Sequence, residues 1–122
     1  MFEIEIDRTF SAAHQLKGYD GDCRNMHGHN YTVTVTVLAD KLNEVGIALD
    51  FKLLKSALDD IIKEYDHHNL SELAEFQAIN PTSEVLAKTI YNKMAAKLNS
   101  PDIKVAKVSI AESDASRIIY SE

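Results

Sequence analysis

Three histidines occur at spacings that suit a shared metal ion. His27-Gly28-His29 sets two imidazoles two residues apart, and side chains at i and i+2 of a strand point the same way. Both rings can then reach one ion, and imidazole ligates zinc and several other divalent metals well. Gly28 between them allows a ligand or another backbone to approach closely. Such a pair alone is equally consistent with ordinary surface or loop histidines. His14 adds a third member, because it shares the parity of Phe2, Ile4, Ile6 and Phe10. If that strand pairs antiparallel with the one that begins at His27, His14 arrives beside the other two. Three protein ligands leave a fourth tetrahedral position open, the arrangement of a catalytic rather than a structural zinc. The alternative is a half-buried His14 bonded only to backbone.

Three further positions carry chemistry-bearing side chains. Cys23 lies four residues before His27. It can be read as a fourth, structural ligand, as a thiol whose pKa is lowered beside metal and Arg24, or as a small hydrophobe. The polar setting Asp22-Cys23-Arg24-Asn25 ranks the last reading lowest. Asp66-His67 places a carboxylate beside an imidazole, a pairing that orients the ring for acid–base work. The same residues, with His68, also suit a helix C-terminus. Glu112 continues the face of Val108 and Ile110. A carboxylate there is costly to desolvate unless paired, and it could accept two parallel N–H bonds from a guanidine-like edge such as that of a pterin or guanine. Otherwise Glu112 is simply a turn residue.

The elements that must position these groups follow from periodicity. Residues 2–10 alternate as a half-buried strand, and a second strand runs from about His27 to Leu38, with Tyr31, Val33, Val35 and Val37 on one face. Asp50 is a good N-cap, and the apolar spacing from Phe51 to Tyr65 predicts an amphipathic helix over 51–65. Asn80-Pro81-Thr82-Ser83-Glu84 reads as a second helix start. Leu86, Ile90, Met94 and Leu98 continue it, and Asn99-Ser100-Pro101 stops it. Strands around Val108–Ile110 and Ile118–Tyr120 flank a turn at 113–116. The order ββααββ predicts one α+β domain over 1–122, a four-stranded antiparallel sheet with two helices on one face.

Composition narrows the function classes. Apolar residues are 45% of the 122, charged residues 26% and the net charge −6, so a disordered chain and a generic binder of nucleic acid or anionic membrane are disfavoured. A single cysteine permits no internal disulfide and fits a reducing compartment. No stretch approaches the roughly 18 apolar residues of a membrane span, and the N-terminus lacks a signal-peptide pattern. The expectation is a cytoplasmic protein.

With these residues in place, the sequence closely resembles the 6-pyruvoyltetrahydropterin synthase / 6-carboxytetrahydropterin synthase family. The resemblance runs through Phe10–His14, Cys23–Tyr31, Leu49-Asp50-Phe51, Asp66–Leu70, Asn80–Glu84 and Glu112. It implies the tunnelling fold, with subunits joining their sheets into a barrel as trimers or hexamers and active sites between subunits. It implies His14, His27 and His29 as Zn2+ ligands, Cys23, Asp66 and His67 as catalytic residues, and Glu112 as the anchor of the pterin. Three residues separate Cys23 from His27, a spacing that resembles the bacterial 6-carboxytetrahydropterin synthases of queuosine (7-deazapurine) biosynthesis. The implied reaction converts 7,8-dihydroneopterin triphosphate into 6-carboxytetrahydropterin, acetaldehyde and triphosphate. The alternatives are a 6-pyruvoyltetrahydropterin synthase, an enzyme that only trims dihydroneopterin, or a non-catalytic zinc module in which Cys23 closes the metal site.

Overall fold

A computed structural model describes residues 1–21 and 24–122. Cys23 and its sequence neighbour Asp22 lie outside the described residues. The chain opens with two long strands, β1 (Phe2–His14) and β2 (His27–Ala39). They pair antiparallel without interruption from Phe2↔Ala39 to His14↔His27. Nearly regular alternation on both explains that register. Ile4, Ile6, Phe10 and Ala12 of β1, and Tyr31, Val33, Val35 and Val37 of β2, are all buried on one face. β1 runs to His14 rather than ending near Phe10, so that histidine is part of the strand itself.

Helix α1 (Phe51–Ile62) starts where expected, with the Asp50 carboxylate accepting from Lys52 N–H at 2.9 Å. It ends three residues sooner than the periodicity predicts. Tyr65 is fully buried, but it is held in the turns that follow the helix. Phe51, counted in the apolar stripe, is largely exposed, and Leu54, Leu58, Ile61 and Ile62 do the packing. Helix α2 (Ser83–Leu98) is capped by Thr82, whose hydroxyl accepts from Val85 N–H at 3.1 Å. It buries Leu86, Ala87, Ile90, Tyr91 and Met94.

The sheet has five strands, not four. A two-residue strand β3 (His68–Asn69) pairs parallel with Ala12-Ala13 of β1, and β4 (Ile103–Ser113) and β5 (Ser116–Ser121) complete the order β3-β1-β2-β4-β5. A polar dipeptide has no alternation to reveal it. A bulge also interrupts β4, where Thr36 pairs with Lys107 but Val37 pairs with Val105. The extra residue lets Val105 face the core together with Val108 and Ile110. α1 packs over β1 and α2 over β4 and β5, so both helices cover the same sheet face. Among the described residues, no helix is long and apolar enough to cross a membrane.

Ile90 has no exposed surface at the centre of the α2 interface. Ile90→Ala should destabilise the fold by about 2–5 kcal/mol, the usual cost of a buried cavity of that size, read as a lower urea midpoint with an unchanged slope.

Candidate functional site

The full-length register of β1 on β2 decides which histidines meet. His14 pairs directly with His27, and His29 lies opposite Ala12. All three rings emerge on the helix-covered face at one end of the sheet, where the apolar core gives way to polar groups. Their ring centroids are 4.5 to 5.2 Å apart. Each offers one nitrogen, and these nitrogens lie within 4.8 Å of one another.

Hydrogen bonds settle which nitrogens those are. His14 Nδ1 sits 2.8 Å from the Pro81 carbonyl, and His27 Nδ1 sits 2.8 Å from the Asn25 carbonyl. A carbonyl oxygen only accepts, so both Nδ1 atoms carry the proton. In the neutral rings both Nε2 atoms then present lone pairs, and they face each other at 2.8 Å. Two lone pairs at that distance repel unless a cation lies between them. His29 Nε2 is buried as well and has no hydrogen-bond partner among the described residues. A tetrahedral zinc with bonds of about 2.0–2.1 Å sets its nitrogens about 3.3 Å apart, between the closest and the widest separations here. Backbone carbonyls that fix the tautomer of ligating rings are a usual support of metal sites. Burial holds the His14 imidazolium below the usual histidine range. The Pro81 carbonyl and Glu112 oppose that effect, and His27 and His29 reinforce it. The neutral form, the one able to ligate, is thereby favoured. The residues present fit a metal ion.

Glu112 joins this end of the sheet, as its parity with Ile110 predicts. One carboxylate oxygen accepts from the Ser83 hydroxyl at 2.5 Å, and the other lies 3.8 Å from His29 Nε2. A cavity of about 220 Å³ opens beside it, lined in part by Ser83, Ile110, Ser116 and Arg117.

Asp66 and His67 lie at the outer edge of β1. Ser11 N–H donates to the Asp66 carboxylate at 3.0 Å, and His67 N–H donates to the Ser11 carbonyl at 2.6 Å. The same carboxylate lies 3.0 Å from His67 Nδ1. The Ser11 bond, partly offset by desolvation and supported by His67, holds Asp66 below the usual carboxylate range. His67 has φ +60°, the one positive value outside glycine among the described residues. Such a backbone costs about 1–3 kcal/mol and concentrates at functional sites. Its ring is largely exposed and borders a cavity of about 470 Å³ shared with Ser11, Gly28, His29 and Asn30. His68 is turned to its own segment, with Nδ1 2.8 Å from the Asp66 carbonyl.

Several supporting residues escape a reading of side-chain types. Asn80, Pro81 and Ser83 look like a helix start, yet Asn80 bonds both backbone atoms of Lys17, at 3.0 and 2.7 Å. Pro81 contributes through its carbonyl, which no side-chain pattern reveals. Ser11 likewise acts through its backbone.

The 6-pyruvoyl tetrahydropterin synthase family model matches residues 3–122. The chain belongs to the 6-pyruvoyl tetrahydropterin synthase family. It is an enzyme of that family, whose members act on pterins. A 6-carboxy-5,6,7,8-tetrahydropterin synthase of Bacillus subtilis is 35% identical, with 98% of this chain and 84% of the relative covered. A 6-pyruvoyl tetrahydrobiopterin synthase of Drosophila melanogaster is also 35% identical, covering 92% and 74%. The structure of Caenorhabditis elegans 6-pyruvoyl tetrahydropterin synthase superposes with a TM-score of 0.85 at 28% identity, over 99% of this chain and 95% of that one. The expected α+β tunnelling fold of this synthase family is therefore the observed one, with the additional short strand β3.

Removal of any one imidazole should open the metal site. His14→Ala, His27→Ala and His29→Ala should each purify with little bound metal, whereas His68→Ala should keep a full complement, as read by elemental analysis of the folded proteins.

Proposed function

We propose that the chain is a zinc-dependent 6-carboxytetrahydropterin synthase, converting 7,8-dihydroneopterin triphosphate and one water into 6-carboxy-5,6,7,8-tetrahydropterin, acetaldehyde and triphosphate on the route to queuosine and related 7-deazapurines. The observation that carries it is the pair of Nε2 atoms of His14 and His27 facing each other, with a ring nitrogen of His29 within 4.8 Å and Glu112 alongside. The identity to relatives named for the carboxy reaction supports the choice of product.

Zinc, held by His14, His27 and His29, would supply Lewis-acid polarisation of the substrate's side-chain hydroxyls. The chain's own groups divide the remaining work. Glu112 accepts two N–H bonds from the pyrimidine edge of the pterin. Binding that edge requires the carboxylate to exchange the Ser83 hydroxyl for ligand donors or to share it with them. Cys23, as thiolate, moves a proton at the junction of pterin and side chain. His67, oriented by Asp66, exchanges the second proton. Because Asp66 and His67 sit on the outer edge of β1, the reading assigns them to the site of a neighbouring copy.

The sheet edges support that assembly. Among the described residues, the edge of β1 that faces away from β2 has no partner strand over residues 2–9, the edge of β5 that faces away from β4 has none either, and β5 runs opposite to β1. Edges of neighbouring copies can therefore pair antiparallel into a closed barrel, a trimer or a stacked hexamer, which removes two exposed edges at once.

A 6-pyruvoyltetrahydropterin synthase is the second reading, favoured by the Drosophila relative and the C. elegans structure. Incubation of the zinc-loaded protein with 7,8-dihydroneopterin triphosphate, followed by mass spectrometry, separates the two. The carboxy product with acetaldehyde is expected, and the pyruvoyl product would overturn the assignment. Cys23→Ala should keep zinc, fold and pterin binding while turnover falls by orders of magnitude. Loss of zinc in that variant would make Cys23 a ligand instead and favour the non-catalytic zinc module.

A further inference from the structure

Behind the Asp66–His67 pair lies a cluster of charges that the proposed reaction does not use. Tyr65 is fully buried, its ring against Phe10 and Phe76. Its hydroxyl donates to Glu75 at 3.2 Å and accepts from Lys93 Nζ at 2.8 Å. Lys93, on α2, also reaches Glu64 at 3.0 Å and Glu75 at 3.2 Å. Burial, only partly offset by Lys93, pushes the Tyr65 hydroxyl up to about 12. Desolvation pulls Lys93 down, but its bonds to Tyr65 and Glu64 outweigh it, so the ammonium stays charged beyond the ordinary lysine range. Three separate segments therefore meet at one phenol: the turn after α1 that carries it, the short helical turn at Ala74–Phe76 and α2.

A phenylalanine would fill the same apolar slot. The hydroxyl adds a fixed depth of insertion, and the residue whose depth it sets stands immediately before Asp66. Tyr65 also holds the far side of the strained residue, since its carbonyl accepts from His68 N–H at 3.1 Å. A left-handed backbone at a histidine persists only where its surroundings over-determine it. Here Ser11 holds the segment from the β1 side and Tyr65 holds it from the core side.

We infer that Lys93 and Tyr65 are positioning residues: with Glu75 they form a clamp that keeps the Asp66–His67 pair, and the left-handed backbone of His67, in working geometry. This rests on the proposed role of His67 as proton carrier. The clamp touches neither substrate nor metal, and its effect passes through the 65–68 backbone.

The test uses the full-length, zinc-loaded protein with Lys93→Met, Tyr65→Phe, Lys93→Arg and His67→Ala. Steady-state kinetics on 7,8-dihydroneopterin triphosphate are combined with hydrogen–deuterium exchange of the peptide spanning 63–69. Lys93→Met and Tyr65→Phe should lower kcat by roughly ten- to hundredfold, the scale of loss from a misplacement of about 1 Å, with KM and metal content unchanged. Exchange should rise in 63–69 and not in β1, β2 or α2. Lys93→Arg, which keeps the cation, should restore most of the loss. Wild-type kcat in both clamp variants would overturn the inference, as would exchange rising equally over the whole chain, the mark of a merely structural role. His67→Ala separates the two claims. Full turnover in that variant would remove His67 from the reaction, and exchange in 63–69 would then decide the clamp by itself.

Discussion

A slip of one residue between β1 and β2 would turn His14, together with the apolar side chains of β1, to the opposite face from His27 and His29. The three imidazoles would then no longer converge. Side-chain direction in a strand has a period of two, so the register that buries Ile4, Ile6 and Phe10 against Val33, Val35 and Val37 is the same register that sets His14 opposite His27. The core and the histidine cluster are thus one constraint expressed at two ends of the same pair of strands. Burial of apolar surface, which supplies most of the stability of a fold, also holds two imidazole lone pairs face to face.

The Asn80–Ser83 turn makes that arrangement rigid. Within four consecutive residues, Asn80 bonds the backbone just beyond β1, Pro81 fixes the tautomer of His14, Thr82 caps α2 and Ser83 holds Glu112. Pro81 stands one residue before the Thr82 cap, outside α2, so its carbonyl takes no part in the helix's own hydrogen bonds. Its free carbonyl is then available to a histidine. A displacement of this turn would be felt at His14 and at the Glu112 carboxylate together.

How much of this was readable beforehand depended on whether a residue acts through its own side-chain type. His14 could be placed by parity because alternation in β1 is nearly unbroken, and Glu112 because Ile110 precedes it on the same face. The bulge near Ala106 was invisible, since Val105 and Val108 differ in parity and only the stretch from Val108 onward alternates. Tyr65 was counted as helical because its spacing fits a helix, whereas the chain leaves α1 at Ile62 and buries the ring from a turn. Phe51 fits the same spacing but is the first residue of the helix and stays largely exposed. The two residues of β3, and the carbonyls of Asn25 and Pro81, carry no sequence signal of their own role. The family resemblance names candidate side chains, but the backbone that orients His14, His27 and Asp66 is visible only in three dimensions.

The central physical claim is that three Nε2 atoms hold the metal while carbonyl-bound protons occupy Nδ1 of His14 and His27. Nitrogen-15 NMR of the histidine rings in the zinc-loaded protein reads this directly, because the two ring nitrogens differ in shift with protonation and ligation. The account predicts protonated Nδ1 and metal-bound Nε2 on both rings, with His29 ligated as well. A proton on Nε2 of either His14 or His27 in the loaded protein, or zinc bound through Nδ1, would contradict it.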